Sequence, residues 1–424
     1  MLSSLVKDKF LRNNAVYFFA TMTAAFLSYL LHPILTRLLS LEDYGEVQAT
    51  LSFYGNLAIF LGLFSSITVN VIANIDEHDH HDQSERLRLI SSLRSLATVI
   101  AVVLFIAVMV SSIWLKGFFH FRSFFPFIFL ALAFLVGVPT LFRRAFLSGT
   151  KDFRSLGVTQ IMDTGSRLIF AGLLAYAGFR VGGVMAGIVL SQCVVLGFVY
   201  ARTRHKLTFD QLRLSFGPEV RRELRFAALI LAVSVTTSLL YTADVLVVKH
   251  FFPPTVAGEY GGIAIVARIV MYVAGPLVAV LMPTVRLRNA PVENQKLLFK
   301  TLVLSVLLGG SVLVAFLILP RFIITTLIGA RFLPSAHLLP KLSLVMFLAA
   351  LLNPIFSYYL ALRQRFVAFI GIAGVALIIG LCALNHSTPS VIIGNFLIGQ
   401  VLIMAAFAAR WTGVIIKHRL YVRA

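Results

Sequence analysis

The residues able to do chemistry in this sequence are few, and they interrupt long apolar runs. Asp163 and Arg167 stand four apart in the run 155–178, which on a helix puts a carboxylate and a guanidinium on one face. Asp244 closes a series, Ser234, Thr237, Ser238 and Tyr241, whose spacings of three and four again define one helical face. Arg268 sits inside a run with no acid three or four residues away, so it reads as an unpaired cation, and Tyr272 follows one turn on. Arg143 and Arg144 lie near the end of another run, and Arg37 closes a further one. Two more stripes are uncharged or nearly so: Asn14, Thr21, Ser28, His32 and Thr36, and then Gln48, Ser52, Asn56, Ser66, Asn70 and Asn74. Such groups can hold ions or polar solutes. No nucleophile elbow, phosphate loop or zinc-ligand spacing accompanies them, so neither an enzyme nor a cofactor is expected.

The elements that must position these groups follow from composition. The chain has 424 residues, 59% of them hydrophobic and only 13% charged, against about 25% charged in soluble domains. Apolar runs near the ~20 residues a helix needs to cross a bilayer recur along its length. The class is an all-α polytopic membrane protein, since helices satisfy their own backbone in lipid. Twelve spans are predicted: 14–38, 46–74, 95–115, 125–147, 155–178, 181–201, 225–250, 259–284, 298–319, 337–361, 366–384 and 389–410. The N-terminal basic residues Lys7, Lys9 and Arg12 precede a run longer than a signal peptide's, which is read as a retained helix. Cys193 and Cys382 fall within spans and suit buried small hydrophobes, not a disulfide or a metal site.

The net charge of +20 raises nucleic acid as a partner, but its placement argues for topology instead. With the N-terminus inside, the inner segments carry 27 of the 37 Lys and Arg and the outer ones seven. That asymmetry puts both termini in the cytoplasm and explains the basic balance through anionic lipid headgroups, with no nucleic acid. The inner loop with Asp76, Glu77, His78, Asp79, His80, His81 and Asp82 reads as solvated, a divalent metal being the alternative. Leu207–Leu214 suits an amphipathic turn on the membrane surface. Lys341 near a helix end suits snorkelling.

The chain also repeats. Gly258 and Glu259 stand 213 residues after Gly45 and Glu46, each pair following a long apolar helix and a short link. At the same offset Arg225 follows Arg12, and 358–366 follows 145–153. Two six-helix lobes are expected, 1–201 and 225–424, joined by the basic linker 202–224. Parallel repeats of this kind place a solute path between the halves. The spans 14–38, 46–74, 225–250 and 259–284 each carry a polar stripe and are expected to line one hydrated cavity. The competing reading has Ser and Thr bonding the preceding turn and Asp163 and Arg167 merely neutralising each other. Gly183 and Gly187 form a GxxxG that permits close helix packing.

Thr36-Arg-Leu-Leu-Ser-Leu-Glu-Asp-Tyr-Gly-Glu46, running into Leu51–Phe64, and the later Gly329–Ser335 resemble the polysaccharide biosynthesis proteins. These are the Wzx-type flippases of the multidrug/oligosaccharidyl-lipid/polysaccharide exporter superfamily. The resemblance covers essentially the whole chain. It implies a bacterial inner-membrane protein with a V-shaped cavity that moves an undecaprenyl-pyrophosphate-linked glycan from the cytoplasmic to the periplasmic leaflet, for O-antigen or exopolysaccharide assembly. It also implies membrane lipids, a polysaccharide polymerase and a chain-length regulator as partners. Arginine suits the pyrophosphate, so Arg268, Arg37 and Arg144 are the expected headgroup contacts, with Tyr241, Tyr272, Ser52 and Asn56 toward the sugars. Asp244, Asp163 and Arg167 are the expected cavity or coupling charges. A cation or drug antiporter would rely instead on Asp244, and a non-transporting scaffold would tolerate every cavity substitution.

Overall fold

The computed structural model describes residues 9–73, 80–204, 218–285 and 290–423, and every element among them is helical. The chain divides into two compact units, Met1–Ala227 and Ala228–Ala424. The first holds α1 (Lys9–Leu38), α2 (Leu41–Ala73), α3 (His80–Phe118), α4 (Phe125–Gly149), α5 (Phe153–Leu174) and α6 (Arg180–Thr203). The second begins within α7 (Pro218–Phe251) and continues through α8 (Pro254–Ala267), α9 (Ile269–Thr284), α10 (Pro291–Ile318) and α11 (Pro320–Leu327). A 3₁₀ segment, Ala330–Leu338, then leads into α12 (Leu339–Ala361), α13 (Phe366–Leu384) and α14 (Pro389–Arg423).

Among the described residues ten helical stretches are long and apolar enough to cross a membrane, and the bent pair α8–α9 makes an eleventh. One of the ten, Phe153–Thr203, holds both α5 and α6. Gly178, at φ 89°, breaks it, and beyond the break Gly183 lies against Leu174 and Gly187 against Ala171. That is the pairing of an antiparallel hairpin, so the spans among the described residues number twelve, and the protein is a multi-pass membrane protein. The GxxxG is what lets the two backbones meet: a Cβ on Gly187 would stand 2.4 Å from the Ala171 nitrogen.

Local chemistry fixes where helices begin. The Ser40 hydroxyl accepts from the Asp43 N–H at 3.1 Å and starts α2 at Leu41, so residues 41–45 are its first turn and not the link expected before Glu46. Pro254, with its fixed φ at the first helical position, opens α8 earlier than the expected Glu259. Asp152 caps α5, accepting from the Ser155 N–H at 3.1 Å and the Ser155 hydroxyl at 2.8 Å. Partial burial pushes the Asp152 carboxyl upward, but the Ser155 bonds and Arg202 outweigh it and hold it below the usual range. Gly329–Ser335 belongs largely to the 3₁₀ segment instead of opening the helix of the tenth span. The expected single helix 259–284 is two, bent by 42° about Arg268. Pro33, Pro139 and Pro354 stay inside unbroken helices.

A contact of the same form recurs in each unit at the repeat offset. Glu46 accepts from the backbone N–H of Arg122 at 2.8 Å, and Glu259 accepts from the Ser335 hydroxyl at 2.5 Å. Both pairs are 76 residues apart, and positions 122 and 335 differ by the same 213 that separates the glutamates. In the first unit Arg122 also pairs with Glu42, while Arg180 grips Asp43 with Nε and Nη2 at 2.9 and 2.8 Å.

Several expected features lie outside the described residues: Asp76–Asp79 of the His/Asp loop, Asn74, and the turn Leu207–Leu214. The side chains of Arg12, Asn14, Asn70, His80, His81, Asp82, Arg225 and Pro283 do as well. Cys382 is buried as expected, but Cys193 on α6 is exposed.

Two outcomes follow. Gly187→Val forces side-chain atoms onto the Ala171 backbone and should cost about 3 kcal/mol or more, seen as a lower melting midpoint in detergent. Gly197→Ala on the same helix meets nothing within 4 Å and should leave it unchanged. Because Asp152 is held low, its contribution is present above the ordinary carboxylate value and is lost as pH falls below about 4. Asp152→Ala should cost about 1 kcal/mol at neutral pH, and the gap from the parent should close in an acid titration of thermal stability.

Candidate functional site

Within the first unit, α2, α4, α5 and α6 enclose a cavity of about 590 Å³. Its charged lining is Arg144 from α4 and Asp163 and Arg167 from α5. The Asp163 carboxylate takes both arginines, Arg167 Nη2 at 2.9 Å on one oxygen and Arg144 Nη1 at 3.6 Å on the other. Two guanidinium groups on one carboxylate leave the cavity net positive. The rest of its polar lining is hydroxyl and amide: Ser65, Ser66, Thr140, Ser148, Gln160 and Gln192, with Tyr54. Gln192 Nε2 donates to the Tyr54 hydroxyl at 2.9 Å, and Gln160 Nε2 to that of Tyr17 on α1 at 2.8 Å. Two polar atoms are buried here with no hydrogen-bond partner among the described residues, Arg167 Nε and Gln192 Oε1. A site with a cation excess and idle donors and acceptors suits an anion that also carries hydroxyls.

The adjacent Arg143 turns the other way. It is buried, donates to the Thr203 hydroxyl at 2.5 Å and lies 4.5 Å from the Tyr200 ring centroid, so it ties α4 to α6.

The second unit holds a closed network. Asp244 on α7 accepts from the Tyr260 hydroxyl of α8 at 3.0 Å and pairs with Arg268 Nη2 at 3.4 Å. Arg268 Nε donates to the Tyr241 carbonyl at 2.9 Å. Both charged side chains are at most 5% exposed. The expectation of an unpaired Arg268 is therefore corrected: its acid comes from the neighbouring helix, which a search at three and four residues along one helix does not reach. The bend between α8 and α9 sits at this arginine.

The remaining expected residues lie each within its own unit. Tyr241 packs beside Met271, Ala274 and Ala350, and Tyr272 is 53% exposed. Arg37 is exposed and donates to the Pro33 carbonyl at 2.8 Å. Ser52 is buried, and Asn56 donates to its carbonyl at 2.9 Å. Both stand two residues from Tyr54, about 200° round the helix, and so miss the cavity that Tyr54 lines. Lys341 bonds the Ser390 hydroxyl at 2.8 Å. On α1, Thr21 and Thr36 bond carbonyls of their own helix, while His32 meets Tyr44 and Gln48 of α2. Sequence reasoning missed Tyr54, Gln160 and Gln192. The spacing 160, 163, 167 on α5 carried the signal for Gln160.

The sequence profile of the family described as polysaccharide biosynthesis protein matches residues 10–286. The chain belongs to that family. Solved structures agree in fold. The lipid II flippase MurJ, in an inward closed conformation, shares 11% identity at a TM-score of 0.66, with 94% of this chain and 87% of that one covered. The MATE multidrug transporter DinF-BH shares 15% identity at the same TM-score of 0.66, with 94% of each covered. An inward-facing MATE family transporter of the MOP superfamily shares 16% at 0.62, over 91% of this chain and 94% of that one. No curated protein matches the sequence. The polysaccharide biosynthesis family member thus shares its fold with these solved proteins.

Removing one side of the Asp244–Arg268 pair strands a buried charge. Asp244→Ala is expected to destabilise the protein by about 3–5 kcal/mol, and Tyr260→Phe by about 1 kcal/mol. Melting of the purified variants in detergent checks both.

Proposed function

We propose that the protein is a flippase that moves an undecaprenyl-pyrophosphate-linked oligosaccharide from the cytoplasmic to the periplasmic leaflet of a bacterial inner membrane, feeding surface polysaccharide assembly. The observation that carries this reading is the net-cationic cavity of the first unit, where Arg144 and Arg167 stand among hydroxyl and amide groups inside membrane-spanning helices. Arginine forks match phosphoryl oxygens, and the Ser, Thr and Gln side chains suit sugar hydroxyls. The polyprenyl tail stays in the bilayer. Family membership and the likeness to a lipid II flippase support the same class of cargo.

Energetics favour the direction. A potential of about 100 mV, negative inside, drives a charge of about −2 outward by ~4–5 kcal/mol. The Lys and Arg asymmetry supports cytoplasmic termini. The product is a lipid-linked repeat unit in the outer leaflet, which a polysaccharide polymerase and a chain-length regulator then consume. Within this reading Arg144 and Arg167 are the headgroup contacts. Arg268 is a positioning group, its guanidinium already committed to Asp244 and to a carbonyl.

A cation or drug exporter is the second reading, favoured by the likeness to multidrug transporters and by the carboxylate of Asp163 within the cavity. In a strain lacking the protein, Arg144→Ala and Arg167→Ala should each fail to restore surface polysaccharide by at least about tenfold, a loss of ~1.4 kcal/mol or more in headgroup recognition, with normal amounts in the membrane. Normal glycan from both variants sinks the site. Resistance to cationic dyes that depends on Asp163 favours the exporter.

A further inference from the structure

The carboxylate of Asp163 occupies the place where a phosphoryl anion would satisfy Arg144 and Arg167. The two contacts differ in kind. Arg167 is four residues on along the same helix and holds one oxygen at 2.9 Å, whereas Arg144 reaches across from α4 to the other oxygen at 3.6 Å. The Ser191 hydroxyl adds only a long contact of 3.5 Å. Beside them, Arg167 Nε and Gln192 Oε1 are buried and have no hydrogen-bond partner among the described residues. All three charged side chains keep access to the cavity, at 26%, 19% and 26% exposed for Arg144, Asp163 and Arg167.

We propose that Asp163 is the resident counter-anion of a diphosphate site, an internal competitor that the ligand must displace and that returns to expel it. The inference rests on the flippase reading. A single carboxylate gives each arginine one oxygen. A diphosphate ester offers each a whole phosphoryl group, with more negative charge and room for bidentate bonds that also engage the idle Arg167 Nε. Arg144 gives way first, because its contact is the longer and comes from another helix. Arg167 then turns within its own helix, keeping Asp163 close. Held at this short range, the carboxylate competes at high effective concentration, so it speeds ligand departure more than it slows arrival. It selects as well: a monophosphate satisfies only one arginine and gains less by evicting the carboxylate. A merely structural Asp163, present to offset charge during insertion, predicts weaker folding and no gain in affinity.

The test uses the full-length protein in nanodiscs, with geranylgeranyl diphosphate as the probe, geranylgeranyl monophosphate for comparison and inorganic pyrophosphate as competitor. Asp163→Asn should bind the diphosphate about tenfold more tightly, mostly through a slower off-rate, with a smaller gain for the monophosphate. The same variant should flip a fluorescent polyprenyl diphosphate more slowly in proteoliposomes. Asp163→Glu should restore affinity and turnover together. Pyrophosphate should compete in both proteins, since the headgroup carries recognition; lipid binding indifferent to it overturns the proposal. Unchanged or weaker diphosphate binding by Asp163→Asn overturns it too, and Asp163→Ser carries the same prediction if the Asn variant does not insert. Arg144→Ala and Arg167→Ala separate the two levels. Weaker binding in both, without a gain in Asp163→Asn, removes the counter-anion and leaves the diphosphate site standing. Unchanged binding in both removes the site itself.

Discussion

A charge inside lipid must be neutralised or hydrated, and this constraint orders the interior of both units. On insertion scales a mid-helix Arg or Asp costs ~2.5–3.5 kcal/mol, and Asp163, Arg167, Asp244 and Arg268 have each drawn a partner. The two units meet the demand differently. In the second, Asp244, Tyr260 and Arg268 satisfy one another out of reach of solvent. In the first, one carboxylate is shared by two arginines at the wall of a cavity. The sealed pair holds α7, α8 and the start of α9 together. The shared one leaves a surplus of positive charge where a solute can reach it.

The first two helices of each unit are joined by polar contacts at neighbouring repeat positions. His32, Tyr44 and Gln48 join α1 to α2; Asp244 and Tyr260 join α7 to α8. Shifted by the repeat, Asp244 falls one position before His32 and Tyr260 one before Gln48. The frame is shared while the side chains that fill it have diverged. Hydrogen bonds between helices are modest in a membrane, but they fix the rotation of one helix against the next and so decide which face meets the cavity.

The helical class and the number of spans were legible because hydropathy is a property of long segments, averaged over many residues. The Asp163–Arg167 pair was legible too, since both partners lie on one helix four apart. What sequence could not supply was the rotation of each helix and the identity of its neighbour. Arg268 looked unpaired because Asp244 is 24 residues away along the chain. Ser52 and Asn56 are polar like Tyr54, yet they sit on the other face of α2, away from the first unit's cavity. The bend at Arg268 has no glycine or proline at the break to announce it. Its place coincides with side-chain bonds to α7, which become visible only once the helices are packed.

The paired glutamate contacts carry a consequence for how the halves can drift apart in sequence. Glu46 is held by a main-chain N–H, a donor that any residue but proline at position 122 would supply. Glu259 is held by a hydroxyl, which at position 335 only a few side chains can offer. An anchor made through the backbone releases its residue for other duties, and Arg122 has used that freedom to pair with Glu42. The same anchor made through a side chain ties its residue down. Two copies of one joint can thus leave one site open to innovation and freeze the other.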